Sequence, residues 1–206
     1  MSDAVSRLSR VLALGDSYTI GEAVEPDERW PVRLAAMLNA RGLEMAPPTI
    51  VARTGWTTDE LSAGIDAAGF GGSFDLVTLL IGVNDQYRGR QVEQFRESFR
   101  IPLGRALAFA EDRAGRVIVV SIPDWGVTPF ARERDRGRIA AEIDRFNSVV
   151  RDEAERAHVR FVDVTPVSRR AASEANLVAA DGLHPSGAMY AEWARLILPV
   201  AVTALG

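Results

Sequence analysis

Short apolar runs without alternation recur along the chain, separated by longer stretches in which apolar residues return every three or four positions. The runs at 11–14, 49–52, 76–81, 117–122 and 160–164 are rich in Val, Ile and Leu. Runs of this kind suit strands covered on both faces, because an alternating pattern would leave one face to water. Segments 31–38, 58–68, 91–110, 139–157 and 186–204 carry the helical spacing. Pro31 stands at a permitted first-turn position, and Thr57-Thr58-Asp59-Glu60 forms a capping run ahead of Leu61 and Ile65. In the fourth segment Ile139, Ile143, Phe146 and Val150 share one face, which predicts burial against the sheet. The alternation of βα units predicts an α/β fold, a three-layer sandwich with a central, mainly parallel five-stranded sheet. Neither a repeat nor a linker interrupts it, so a single domain spanning 1–206 is expected. The longest irregular connection is 123–138, of the sort that shapes sites over a rigid scaffold.

Composition narrows the chemistry. Apolar residues make up 47% of the 206 residues and charged residues 25%, enough for an ordinary core. With a net charge of −4 and no basic block, the chain lacks the footprint of a nucleic-acid binder. The absence of cysteine excludes disulfides, thiolate chemistry and sulfur-ligated zinc. All 24 basic residues are arginine, which excludes lysine nucleophiles. The first ten residues are polar and the apolar run 11–14 is far short of a signal core. No segment approaches the ~18 apolar residues of a membrane span, so a cytoplasmic location without stable membrane insertion is expected. Oligomeric state is left open.

Ligands of an open parallel sheet bind beyond the carboxyl ends of its strands, and polar clusters stand there. Gly15-Asp16-Ser17 follows the first run, Arg53-Thr54-Gly55 the second and Gly82-Val83-Asn84-Asp85 the third; Asp181-Gly182-Leu183-His184-Pro185 precedes the last helix. A serine hydroxyl attacks a carbonyl only when a base takes its proton, and the usual base is histidine. Of the two histidines, His158 ends a helix before an apolar strand, a place for a cap or a surface group. His184 has Asp181 three residues before it, where a helical turn would put both on one face and let the carboxylate orient the ring. Each fragment alone also reads as ordinary structure: a strand end with a helix cap, or a turn. Their joint order at strand ends is what points to chemistry, with Asp16 as a structural cap beside the nucleophile.

These four blocks resemble those of the SGNH hydrolases, the GDSL esterase and lipase family, over nearly the whole chain, and the family's invariant letters fall on Ser17, Gly55, Asn84 and His184. The resemblance implies a flavodoxin-like sandwich and a serine-dependent hydrolase of small carboxylic esters. Ser17, Asp181 and His184 would be its triad. The backbone N–H groups of Ser17 and Gly55 and the amide of Asn84 would form the oxyanion hole, with no cofactor or metal. Glycine at 55 would let the backbone approach substrate closely. The α/β-hydrolase pentapeptide Gly-x-Ser-x-Gly is absent, since Thr19 occupies its last position. The order Ser, Asp, His is not that of chymotrypsin.

Tyr18, Trp56, Gln86, Tyr87 and Trp125 lie beside these blocks or on strand-end loops and are candidates to line a substrate pocket, or to pack as ordinary anchors. Arg53 and Arg88 are candidates to meet an anionic substrate, or to be solvated. Two other classes compete. A metal-dependent phosphoesterase would use Asp16, Asn84, Asp85, Asp181 and His184 as ligands. A non-catalytic binding protein would keep the fold alone. Esterase, thioesterase, lysophospholipase, carbohydrate deacetylase and acyltransferase all remain open, because they share the scaffold and differ in loops.

Overall fold

The computed structural model describes residues 7–69 and 71–206. Its sheet has five strands, β1 (Val11–Gly15), β2 (Thr49–Ala52), β3 (Leu76–Leu80), β4 (Val117–Val120) and β5 (Arg160–Val162), all parallel and ordered β2-β1-β3-β4-β5. The helices are α1 (Ser17–Ile20), α2 (Trp30–Asn39), α3 (Thr58–Ala68), α4 (Val83–Tyr87), α5 (Val92–Phe109), α6 (Arg136–Arg156), α7 (Thr165–Arg169) and α8 (Gly187–Leu205). Every residue of β1, β3 and β4 is buried, as unalternated apolar runs require when helices cover both faces. Helices α2 and α8 pack together on one face, while α3, α5 and α6 line up on the other.

Each predicted strand starts where expected, but β4 and β5 end early. The apolar run continues to Ile122, yet the Ile122 N–H donates to Asn147 Oδ1 (2.8 Å) and the Val164 N–H to Ser121 Oγ (2.8 Å). Side chains thus take over the donors that would have extended the ladder. Helices α1, α4 and α7 carry no prediction, because four or five residues are too few to display a helical period.

Helix α8 departs from expectation in another way. By length and composition it is apolar enough to cross a membrane, although half of that stretch is buried inside the protein. Trp193, Ala194 and Ile197 are fully enclosed, which explains the hydropathy as core packing against α2 and the sheet.

Candidate active site

The register of the sheet sets three polar clusters level. Gly15 pairs with Ala52 on one side and with Leu80 on the other, so β1, β2 and β3 end together. Ser17, Gly55 and Asn84 each follow within a few residues of that line. Strand order reverses its direction of winding between β1 and β3, the crevice where open α/β sheets bind ligands.

Glycine at 15 is dictated by packing: a Cβ there would stand 2.4 Å from the Leu80 carbonyl oxygen and 2.2 Å from Thr19 Oγ1. The chain can therefore turn from β1 straight into α1 against β3. Asp16 caps the turn, its Oδ1 accepting from the Tyr18 N–H at 3.0 Å, in line with the structural role expected for it. Its Oδ2 meets no hydrogen-bond partner among the described residues. Burial, with Asp85 nearby, pushes the Asp16 carboxyl up to about 8. Ser17 opens α1 and is 5% exposed.

Asp181 and His184 meet through Asp181 Oδ2 and His184 Nδ1 at 2.5 Å. The expected helical turn is not what joins them. Asp181 Oδ1 instead accepts from the Leu183 and His184 N–H groups at 2.9 and 3.0 Å, a side-chain turn closed over Gly182 at φ +73°. The acid thereby holds both the backbone and the ring of the base. Burial raises the Asp181 pKa, but the His184 ring and these two N–H groups outweigh it and keep the carboxylate below its ordinary value. The Tyr18 ring meets His184 edge-on at 5.7 Å, so the element carrying Ser17 packs directly on the imidazole.

Gly55 adopts φ +85°, a left-handed conformation that a side chain resists. Protein atoms do not crowd the position, since a Cβ would find only Arg88 Nη2, at 3.8 Å. Asn84 Nδ2 donates to the Trp56 carbonyl at 2.9 Å, which leaves its second amide hydrogen uncommitted to that bond. Asp85 is fully buried; its oxygens accept from the Thr58 hydroxyl (2.9 Å) and N–H (3.0 Å), and Arg90 pairs with it at 2.9 Å.

The aromatic candidates divide. Tyr18 and Trp125 line a small cavity of about 20 Å³ together with Leu183, His184 and Met189. Gln86 and Tyr87 join Trp125, Arg134, Arg138 and Glu142 on a much larger cleft of about 970 Å³ that neither Ser17 nor His184 lines. Trp125 Nε1 donates to Gln86 Oε1 at 2.8 Å and so ties the two regions together. Trp56 is turned onto α3, its ring occupying the space that a side chain at Gly64 would need. Of the arginines, Arg53 is exposed and Arg88 is engaged by protein groups. His158 is exposed at φ +55°, just past the end of α6.

The five residues weighed as metal ligands have separate tasks here: Asp16 caps α1, Asn84 holds Trp56, Asp85 holds Thr58, and Asp181 holds His184. Among the described residues no three His, Cys, Asp or Glu side chains converge as a metal site. The sequence offered Arg88 for an anionic substrate or for solvent and Glu60 for the α3 cap; the bonds of Arg88 to Glu60 and to the Gly55 carbonyl went unread, because α4, whose C-cap is Arg88, is too short to announce itself by periodicity.

The family model of the GDSL-like lipase/acylhydrolases matches residues 13–192. No curated protein matches the chain in sequence. Among solved structures, TesA is 19% identical with a TM-score of 0.75, over 96% of this chain and 100% of TesA. LAE5, an alpha/beta hydrolase enzyme from the metagenome of Lake Arreo, Spain, is 23% identical with a TM-score of 0.71, over 96% of each chain. Axe2, an acetylxylan esterase from Geobacillus stearothermophilus, is 19% identical with a TM-score of 0.72, over 94% of each chain. The matched segment begins within β1, takes in the other four strands and holds all four polar clusters at the carboxyl end of the sheet, and on that ground the chain belongs to the GDSL-like lipase/acylhydrolase family and is a carboxylic ester hydrolase.

Proposed function

We propose that the protein cleaves small carboxylic esters through a Ser17/His184/Asp181 triad and an acyl-enzyme. The observation that carries this reading is the 2.5 Å contact of Asp181 Oδ2 with His184 Nδ1, beside the helix that begins at Ser17. An imidazole held at Nδ1 by a carboxylate has Nε2 free to accept a proton. In the first step His184 takes the hydroxyl proton as Ser17 Oγ bonds to the ester carbonyl carbon. The tetrahedral oxyanion is met by the N–H groups of Ser17 and Gly55 and by the Asn84 amide. Collapse breaks the ester bond, and His184 returns the proton to the leaving alcohol. Water, deprotonated by the same imidazole, then releases the acid and regenerates Ser17.

Small acyl groups suit the confined cavity beside His184, whose volume of about 20 Å³ is little more than that of one water-sized probe. The solved neighbour Axe2, described as an acetylxylan esterase, is consistent with that scale. The test is reaction of the purified protein with a fluorophosphonate, followed by peptide mapping, beside turnover of a p-nitrophenyl ester series in excess EDTA. One adduct on Ser17, EDTA-resistant turnover highest for the shortest chains, and turnover lost by at least about 10³-fold in Ser17→Ala are expected. Near-normal activity of Ser17→Ala would sink the assignment, and EDTA-sensitive activity would favour a metal site.

A further inference from the structure

The turn that carries Gly55 is held residue by residue from α4. Arg88 Nη2 donates to the Gly55 carbonyl at 2.6 Å, and Asn84 Nδ2 donates to the Trp56 carbonyl at 2.9 Å. Arg88 Nη1 reaches Glu60 Oε1 at 3.2 Å, and Glu60 Oε2 accepts the Thr57 N–H at 2.8 Å. Asp85 takes both the N–H and the hydroxyl of Thr58. Four consecutive residues, Gly55 to Thr58, are thus gripped by Asn84, Asp85 and Arg88, the last reaching Thr57 through Glu60. Asn84 in α4 and Arg88 at its C-cap lie one turn apart, the Arg88 N–H donating to the Asn84 carbonyl. From the other side Glu22, just past α1, accepts a hydrogen bond from Thr54 Oγ1.

Gly55 needs such a grip. Its φ of +85° and the lack of a Cβ give the residue freedom that no side chain restrains. A donor serving an oxyanion must nevertheless be fixed before charge develops, because reorganisation during reaction forfeits the stabilisation. Arg88 is the only side chain among these that binds the Gly55 peptide itself, and both of its Nη atoms are committed to protein acceptors.

We propose that Arg88 is a positioning residue for ester hydrolysis, holding the Gly55 carbonyl and the α3 cap and so limiting the rotation about Gly55 that would turn its N–H, on the preceding peptide, away from the oxyanion. This rests on the serine-hydrolase reading above. Arg88 touches no reacting atom; it acts through the turn, and its guanidinium fork can serve the carbonyl and the carboxylate together where a lysine ammonium can serve one well.

The experiment compares wild type, Arg88→Ala, Arg88→Lys and Ser17→Ala, with kcat expressed per active site titrated to completion by a fluorophosphonate. Thermal unfolding is recorded alongside. Arg88→Ala is expected to lower kcat per site by about 10- to 100-fold with KM within about twofold, the size of effect that a small misplacement produces. Arg88→Lys should recover part of the loss. An Arg88→Ala enzyme with wild-type kcat per site would overturn the proposal, even if its melting temperature fell. A raised KM with unchanged kcat would overturn it too, by making Arg88 a substrate contact. Ser17→Ala separates the two levels: if that variant keeps its activity, the serine reading fails and the positioning role fails with it.

Discussion

Asp16 and Glu153 are both buried carboxyls, at 0% and 1% side-chain exposure, and they are driven to opposite ionisation states. Asp16 stands beside Ser17 with one oxygen on a backbone N–H and the other without a partner among the described residues. Desolvation dominates there, and the carboxyl is pushed up to about 8. Glu153, on α6, also suffers desolvation, but Arg100, Arg96 and Arg156 surround it and hold it down at about 2. Arg96 and Arg100 bridge to it from α5 at 2.9 Å, so the ion cluster also ties two helices together. Burial alone therefore decides neither state. The number of donors that tertiary packing brings to each oxygen decides both. Charge is compensated on the helix layer, while a cost is carried at the carboxyl end of the sheet.

The largest effect that tests this contrast concerns Asp16. Below pH 3.8 the folded and unfolded chains both hold its proton; between 3.8 and about 8 the folded state keeps a proton that the unfolded chain releases, so stability falls as pH rises; above that window both are ionised and the dependence stops. At about 1.36 kcal/mol per pH unit the window is worth roughly 6 kcal/mol. Asp16→Asn keeps an acceptor for the Tyr18 N–H and removes the titration, so denaturant melts of the variant at pH 5 and pH 9 should differ by far less than those of the wild type. An unchanged slope would show that Asp16 is ionised and partnered.

Glu153 gives the opposite sign. Its lowered pKa adds stability above pH 4.5 that is lost as pH falls through about 2. The guanidiniums of Arg96 and Arg100 are about a third exposed and solvent screens them. Glu153→Gln should therefore cost about 2 kcal/mol at neutral pH and weaken the acid-side loss, measured by urea unfolding, with kcat per site unchanged. Equal loss of activity and stability would mean that the α5–α6 contact reaches the site.

Smallest is the neutral counterpart of the Asp16 cap. Thr57 and Glu60 form a reciprocal capping box at the start of α3. Thr57→Ala should cost about 1 kcal/mol in the same unfolding assay, with little pH dependence. The Thr57 N–H, the main cause that keeps the Glu60 carboxylate below its ordinary value, survives in this variant, so a marked pH dependence would show that the Thr57 hydroxyl outweighs it.

Much of this arrangement was legible in residues 11–14, 49–52, 76–81, 117–122 and 160–164, where each strand began as read. The cap at Thr57 and the structural part of Asp16 were also visible, because both act within three residues of themselves. The joining of Asp181 to His184 was read correctly as a pair and wrongly as a helical turn, since spacing three also fits a side-chain turn over a left-handed glycine. The left-handed conformation of Gly55 was a further reason for glycine that the sequence did not display. The clamp of Asn84, Asp85 and Arg88 on residues 55–58 was not legible, because α4 has five residues and its partners lie 27 to 33 positions away.

By itself the sequence determined the alternation of strands and helices, and with it the layer order and the end of the sheet where polar groups gather. It did so because hydrophobic periodicity is a local property that burial enforces along each element. Only the tertiary structure decided which carboxyl is ionised and which peptide is gripped, and by which arginine. Those outcomes depend on how many donors reach one oxygen from remote parts of the chain, and the β-sheet register that levels Gly15 with Ala52 and Leu80 is what brings the three neighbouring clusters there.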